Sequence, residues 1–223
     1  RDTDRSRGLG DVYKRQECFI LFDECEKLVQ DVHYRDSIRE PMNDFFRFRD
    51  KALISATPIV PEKDNRFDGF TRVLIQPDYA YQQKLKLITT NNVLATLQEV
   101  IEAKRGTVCI FCNSIDSIDS FYRLIPELNN ACTFCSEDGQ YKLWKGNRRK
   151  KSIMITELER YNFFTSRFYS AVDIVCKNPP HVILISDLYG ATQSVIDPAT
   201  EAIQIIGRFR GGVNTVTHIA SIR

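Results

Sequence analysis

Four short stretches of this 223-residue chain carry side chains suited to work on phosphate. Asp23-Glu24-Cys25-Glu26 follows the apolar run Cys18-Phe19-Ile20-Leu21-Phe22. Two adjacent carboxylates suit a divalent metal and a positioned water, because phosphoryl transfer needs a cation to neutralise phosphate charge and a group to orient the nucleophile. Ser55-Ala56-Thr57-Pro58 follows a second apolar run, Lys51-Ala52-Leu53-Ile54. Small hydroxyls there can hydrogen-bond the carboxylates without filling a ligand site, and Pro58 cannot continue a helix. Thr165-Ser166-Arg167 precedes Asp173, and Gln204-Ile205-Ile206-Gly207-Arg208-Phe209-Arg210 ends in two arginines. A guanidinium is planar and permanently charged, so it can grip two phosphate oxygens at once. Taken singly, each stretch also reads as ordinary structure: a strand meeting a solvated turn, a polar loop, or a basic helix end.

The surrounding sequence dictates the elements that must hold these groups. The runs at 18–22 and 51–54 are short, continuous and apolar, which predicts strands buried on both faces of a parallel sheet. Asp23 and Glu24 would then sit at a carboxyl-terminal strand tip, where open α/β sheets bind ligands. Between those runs, 36–49 reads as helix, with Phe45, Phe46 and Phe48 as core rather than a base-stacking platform. Farther on, Val93, Leu94, Leu97, Val100 and Ile101 fall at helical spacing within 91–104, and Gly106 stops that helix. Thr107 to Phe111 reads as a buried strand leading to Asn113-Ser114, and Ile115 to Leu124 as the next helix. Further apolar runs lie at 131–135, 162–164, 182–185 and 213–219. Strands alternating with helices predict a doubly wound parallel sheet.

In this order the stretches resemble the motor motifs of the superfamily 2 helicases, the DEAD/DEAH-like proteins with RecA-like domains. Asp23-Glu24-Cys25-Glu26 resembles the Walker B element, and Ser55-Ala56-Thr57 the SAT element that couples hydrolysis to domain movement. Thr165 to Asp173 resembles motif V, with Ala171 where the family carries Gly. Gln204 to Arg210 resembles the Q-x-x-G-R motif, with Gly211 where many members place their second arginine. The resemblance spans 18–212 and implies an α/β fold of tandem RecA-like domains with parallel sheets flanked by helices, the first domain incomplete. The implied boundaries are 17–77 for the end of the first domain, 78–90 for a linker and 91–223 for the second. The implied cofactors are ATP and Mg²⁺. Asp23 would hold the metal through water and Glu24 would orient the attacking water. Arg208 and Arg210 are the two candidates for an arginine finger, Arg210 preferred, with Gln204 beside them. Asp173, Gly207, Ser55 and Thr57 would lie at the nucleotide. Asn113, Ser114, Thr165, Ser166 and Arg167 would track nucleic-acid phosphate, with DNA favoured over RNA as the partner. Two rivals remain: a motor in a different task, as the ATPase of a restriction enzyme or an origin-binding replication protein, and a non-catalytic nucleic-acid-binding relic.

Composition bounds the remaining classes. The chain is 43% hydrophobic and 27% charged, as for a soluble globular protein. No apolar run approaches the roughly 20 residues of a membrane span. The formal charge of +2 lies in residues 1–16, leaving 26 basic and 26 acidic residues after them; a basic track must come from local placement. Ser6 to Gln16 matches the translation of a sequencing-library adapter, so 1–16 is expected to be an artefact and the upstream half of the natural chain to be missing. No G-x-x-x-x-G-K-S/T stretch occurs, so this chain alone is expected not to hydrolyse ATP. Seven cysteines, an odd number, favour a reducing cytoplasm. Cys109-x-x-Cys112 and Cys132-x-x-Cys135 imitate a zinc ribbon, but both lie in apolar runs read as strands, where residues three apart face opposite sides. Buried free thiols are therefore expected.

Overall fold

The computed structural model describes residues 17–26, 40–58, 65–76, 78, 82–144, 151–152, 154–155, 157–170 and 172–222. The chain forms two compact units, dividing after Asp78. The first sixteen residues, positions 36–39 of the expected first helix, and Ala171 lie outside the described residues.

In the first unit, β1 (Phe19–Asp23) and β2 (Asp50–Ile54) pair in parallel, Phe19 opposite Asp50 and Asp23 opposite Ile54. Parallel neighbours need a crossover between them, and helix α1 (Glu40–Phe45) lies in that connection. Its Phe45 is fully buried. Phe45 centres an aromatic cluster, edge-on to Phe22 (6.4 Å) and Phe46 (5.4 Å) and stacked on Phe70 (6.2 Å). Phe45 is thus the core residue expected, with Phe46 and Phe48 half-buried. The expectation that β1 is buried on both faces is corrected: Phe19 and Leu21 are 63% and 54% exposed. Among the described residues only β2 pairs with β1 and aromatic rings cover one face, so the alternate side chains meet solvent.

The second unit is built on a seven-stranded, all-parallel sheet. In chain order its strands are β3 (Leu85–Thr90), β4 (Val108–Phe111), β5 (Cys132–Phe134), β6 (Lys151–Ser152), β7 (Tyr161–Phe164), β8 (His181–Ser186) and β9 (Thr215–Ser221). Their order across the sheet is β3-β9-β8-β4-β7-β5-β6. The helices are α2 (Val93–Glu102), α3 (Ile115–Leu124), α4 (Glu137–Trp144) and α5 (Glu201–Gly207). The chain steps one way across the sheet from β3 to β6 and returns from β7 to β9. Right-handed crossovers therefore place the outward and return connections on opposite faces. Two cores show the result. Leu97 and Ile101 of α2 and Ile118, Phe121 and Tyr122 of α3 pack with Ile110, Phe163 and Ile183. On the other face Phe168, Tyr169, Ile174, Ala202, Ile205 and Phe209 pack with Phe111, Phe164 and Leu184. The α/β class, with helices flanking parallel strands, is the one expected.

Leu85–Thr90, expected in the linker, is instead the edge strand β3, aligned with β9 from Leu85↔Val216 to Thr90↔Ser221. An edge strand keeps one row of backbone groups in solvent and tolerates polar residues; Lys86 and exposed Leu87 disguised it. The paired cysteines divide between the faces, Cys109 and Cys132 in one core, Cys112 and Cys135 in the other. Among the described residues, no helix is long and apolar enough to cross a membrane.

Candidate functional site

In the first unit the carboxylates emerge where β1 ends. Asp23 Oδ1 accepts the backbone N–H of Glu24 at 2.8 Å. Glu24 has φ of +53°, the left-handed region that costs an L-residue about 1–2 kcal/mol. Such strain at a strand tip aims a side chain that a relaxed backbone would place elsewhere. The segment after β2 answers it: the Ser55 hydroxyl donates to Glu26 Oε2 and accepts the Thr57 N–H at 2.9 Å. The hydroxyl-to-carboxylate bond anticipated between these two stretches is present, and its acceptor is Glu26 rather than Asp23 or Glu24. Glu26 is only 1% exposed, and Thr57 is also buried. Burial, then the charge of Glu26 and less strongly that of Asp23, raises the Cys25 thiol against an opposing backbone hydrogen bond. Cys25 is thereby kept protonated beside the carboxylates.

In the second unit the expected residues fall into two groups. The first gathers at the carboxyl ends of β4 and β7. Asn113 donates from Nδ2 to the Gln193 carbonyl (3.0 Å) and accepts the Ser166 N–H on Oδ1 (3.2 Å), so one side chain joins two loops. Ser114 caps α3, its hydroxyl accepting the Ser117 N–H at 3.2 Å. Thr165 is 7% exposed and donates to the Phe134 carbonyl at 3.4 Å. Ser114 and Thr165 thus build the loops, whereas Ser166 and Arg167 face solvent.

The second group joins the loop after Tyr169 to the end of α5. The Ile174 N–H donates to the Arg208 carbonyl at 2.9 Å, and the Ile174 side chain is buried. Phe209 is buried edge-on to Phe111 (6.1 Å). That anchor separates the two arginines. Arg208 turns back along its helix, Nε donating to the Gln204 carbonyl at 3.1 Å, while Arg210 reaches Asp173 Oδ1 with Nε at 3.0 Å. The ion pair is open, with side chains 67% and 50% exposed. Gln204 is buried. A Cβ at Gly207 would meet nothing within 4 Å and its φ is not positive, so the fold alone does not demand glycine there.

Two residues the sequence reading passed over shape the same edge. Asp187, just past β8, accepts the N–H groups of Tyr189 (3.2 Å) and Gly190 (2.9 Å) and the Ser221 hydroxyl (3.0 Å). A Cβ at Gly190 would come within 2.4 Å of Asp187 Oδ2, so a larger residue there would force that carboxylate to shift. The signal was available, since Asp at the first and Gly at the fourth position after a buried strand is a turn signature. Ser194 orders the same loop, its hydroxyl accepting the Asp187 N–H at 2.9 Å. This holds Gln193 where Asn113 meets it. Cys112, beneath that edge, is pushed up to about 12 chiefly by burial, with the Asp187 charge adding to it.

No family model and no curated protein matches the chain.

Proposed function

We propose that this chain is part of an ATP-driven motor that moves along nucleic acid, a helicase or translocase built from tandem RecA-like domains. The observation that carries the reading is the pairing of Asp173 with Arg210, two residues far apart in sequence that the motif resemblance assigns to one nucleotide site. An exposed pair of this kind contributes about 0–1 kcal/mol. It is a resting place for the guanidinium rather than a brace, and a phosphate can take Arg210 from Asp173 at little cost. In this reading Arg210 is the finger that stabilises charge on the transferring phosphoryl group. Arg208 supports it from the end of α5. Asp23 holds Mg²⁺ through water, Glu24 orients the nucleophile, and Ser55 senses the metal site through Glu26. Ser166 and Arg167 meet the nucleic-acid backbone, positioned by Asn113, Ser114 and Thr165. Such contacts release counterions, so binding weakens steeply with salt; DNA is favoured as the strand.

The test is ATP turnover by a longer natural chain that includes a phosphate-binding loop. Arg210→Ala is expected to lower kcat by roughly 10³–10⁵-fold, the range of an arginine finger, while leaving the fold intact. Undiminished turnover would sink the assignment. A natural chain with no phosphate-binding lysine would overturn the catalytic reading as a whole.

A further inference from the structure

The sheet of the second unit has another edge that the motor reading leaves unused. All its strands run the same way, so the residues just before β4, β7 and β8 gather at the amino edge, opposite the carboxyl ends that lead to Asn113, Thr165 and Asp187. At about 3.3 Å per residue, the four residues of β4 set the two edges roughly 13 Å apart. A cleft of ≈ 450 Å³ opens at the amino edge, lined by Arg105, Gly106 and Thr107 before β4 and by Leu158, Glu159 and Arg160 before β7.

The cleft is cationic. Arg105 and Arg160 are exposed, and among the described residues neither has a carboxylate partner. Arg160 Nη2 comes within 3.5 Å of the Lys104 carbonyl, which brings its guanidinium against the residue that precedes Arg105. That one long bond leaves most of the five guanidinium donors unused. Glu159 is the one acid in the lining, and Lys104 adds a further positive charge to the same edge, its Nζ donating to Thr215 Oγ1 at 3.1 Å.

The backbone under both arginines is fixed by buried polar side chains. Asn162 is fully buried; its Oδ1 accepts the Glu159 N–H at 2.9 Å and its Nδ2 donates to the Glu159 carbonyl at 2.7 Å. His181 is 8% exposed, and its Nε2 donates to the Arg105 carbonyl at 3.0 Å. The Arg160 guanidinium lies over the Tyr161 ring, 5.0 Å from its centroid, which holds its plane. Between the two, Gly106 has φ of +88°, a turn that glycine takes without strain. Two planar forks held in place before a ligand arrives lose little freedom on binding it.

We propose that this cleft is a second anion site, which grips a short polyphosphate chain between Arg105 and Arg160. Guanidinium forks match phosphate oxygens two at a time, and the volume lies in the range of small-molecule sites. No aromatic ring lines the cleft, since Tyr161 is buried beneath Arg160. A single strand would need such a ring to stack its bases, so the phosphate chain alone is recognised. The site is separate from the edge that carries Asp173 and Arg210 and stands whether or not the chain is a motor.

The test uses the whole chain and sodium tripolyphosphate, with backbone amide resonances followed during the titration. Saturable shifts are expected at Arg105–Thr107 and Glu159–Arg160. Arg105→Gln and Arg160→Gln should each weaken binding about tenfold or more, as for a lost bond to a charged group, with the urea midpoint kept. Glu159→Gln leaves both arginines in place and should tighten binding, an effect that a merely structural role would not produce. Arg123→Gln, on the exposed face of α3, should change nothing. The proposal is overturned if the shifts collect at Arg208–Arg210 instead, if the folded Arg105 and Arg160 variants bind as tightly as the parent, or if a single-stranded oligonucleotide takes the cleft in preference to tripolyphosphate at equal phosphate concentration.

Discussion

At the scale of single residues, Asn113 shows how a candidate contact can be a structural staple as well. Its amide uses both ends, one on the Gln193 carbonyl and one on the Ser166 N–H. The two loops it joins have no regular ladder with one another, so this side chain does the work that backbone pairing does inside the sheet. Asn113→Ala removes both bonds and is expected to lower the unfolding free energy by about 1–2 kcal/mol, read from urea titration. Asn113→Asp keeps the acceptor for Ser166 but sets a carboxylate oxygen against the Gln193 carbonyl, so it is expected to destabilise as well. If Ser166 and Arg167 meet phosphate, the added charge of Asn113→Asp should weaken oligonucleotide binding more than Asn113→Ala does. Equal stability of both variants and the parent would show that the loops hold without the amide.

At the scale of elements, two buried tyrosines on opposite faces of the sheet make opposite predictions. Tyr122 of α3 donates its hydroxyl to the Ala131 carbonyl (3.1 Å) and meets Thr133 Oγ1 (2.8 Å), fastening the helix to β5. Tyr169 packs its ring edge-on to Phe111 (5.8 Å), but among the described residues its buried hydroxyl finds no partner. Burial, with smaller contributions from Cys112 and Glu201, pushes that phenol well up. Tyr122→Phe should therefore cost about 1 kcal/mol, and Tyr169→Phe should gain about 1 kcal/mol by deleting an unsatisfied group. Matched shifts of the same sign in the two variants' urea midpoints would refute this account. The same elements show what the sequence disclosed. β4, β8 and α3 were legible because each is a continuous apolar run or a clean helical stripe, and Ile115–Leu124 matched at both ends. β3 was not, because its only partner among the described residues, β9, lies at the far end of the chain and its exposed leucines carry no burial signal. The Asp173–Arg210 pair was legible only as two separate motifs; their contact depends on Phe209 and Ile174 being buried, which no local pattern announces.

At the scale of the whole molecule, the second unit stakes its stability on histidines kept neutral. His181 begins β8 and bridges distant parts of the chain, Nδ1 to Thr215 Oγ1 at 2.8 Å and Nε2 to the Arg105 carbonyl at 3.0 Å. His218 of β9 is buried against the Ser186 hydroxyl at 2.8 Å, which also accepts the Ile196 N–H. Burial lowers both imidazoles, and the Lys104 charge lowers His181 further, against a weaker opposing hydrogen bond to Arg105. The unfolded chain titrates its histidines near pH 6.5. Above that value neither state is protonated and the full stability is present. As pH falls below it, the unfolded state takes up protons before the folded state can, so stability drops until the lower folded values are passed and then levels off. The urea midpoint should therefore be lower at pH ~5.5 than at pH ~7.5, a window in which ordinary carboxylates stay ionised. His218→Gln, which can still meet the Ser186 hydroxyl, should flatten part of that slope, and adding His181→Asn should flatten more. A midpoint that does not move between the two pH values would mean that the folded chain tolerates both imidazolium ions, and the sheet would then have to be held by something other than these two rings.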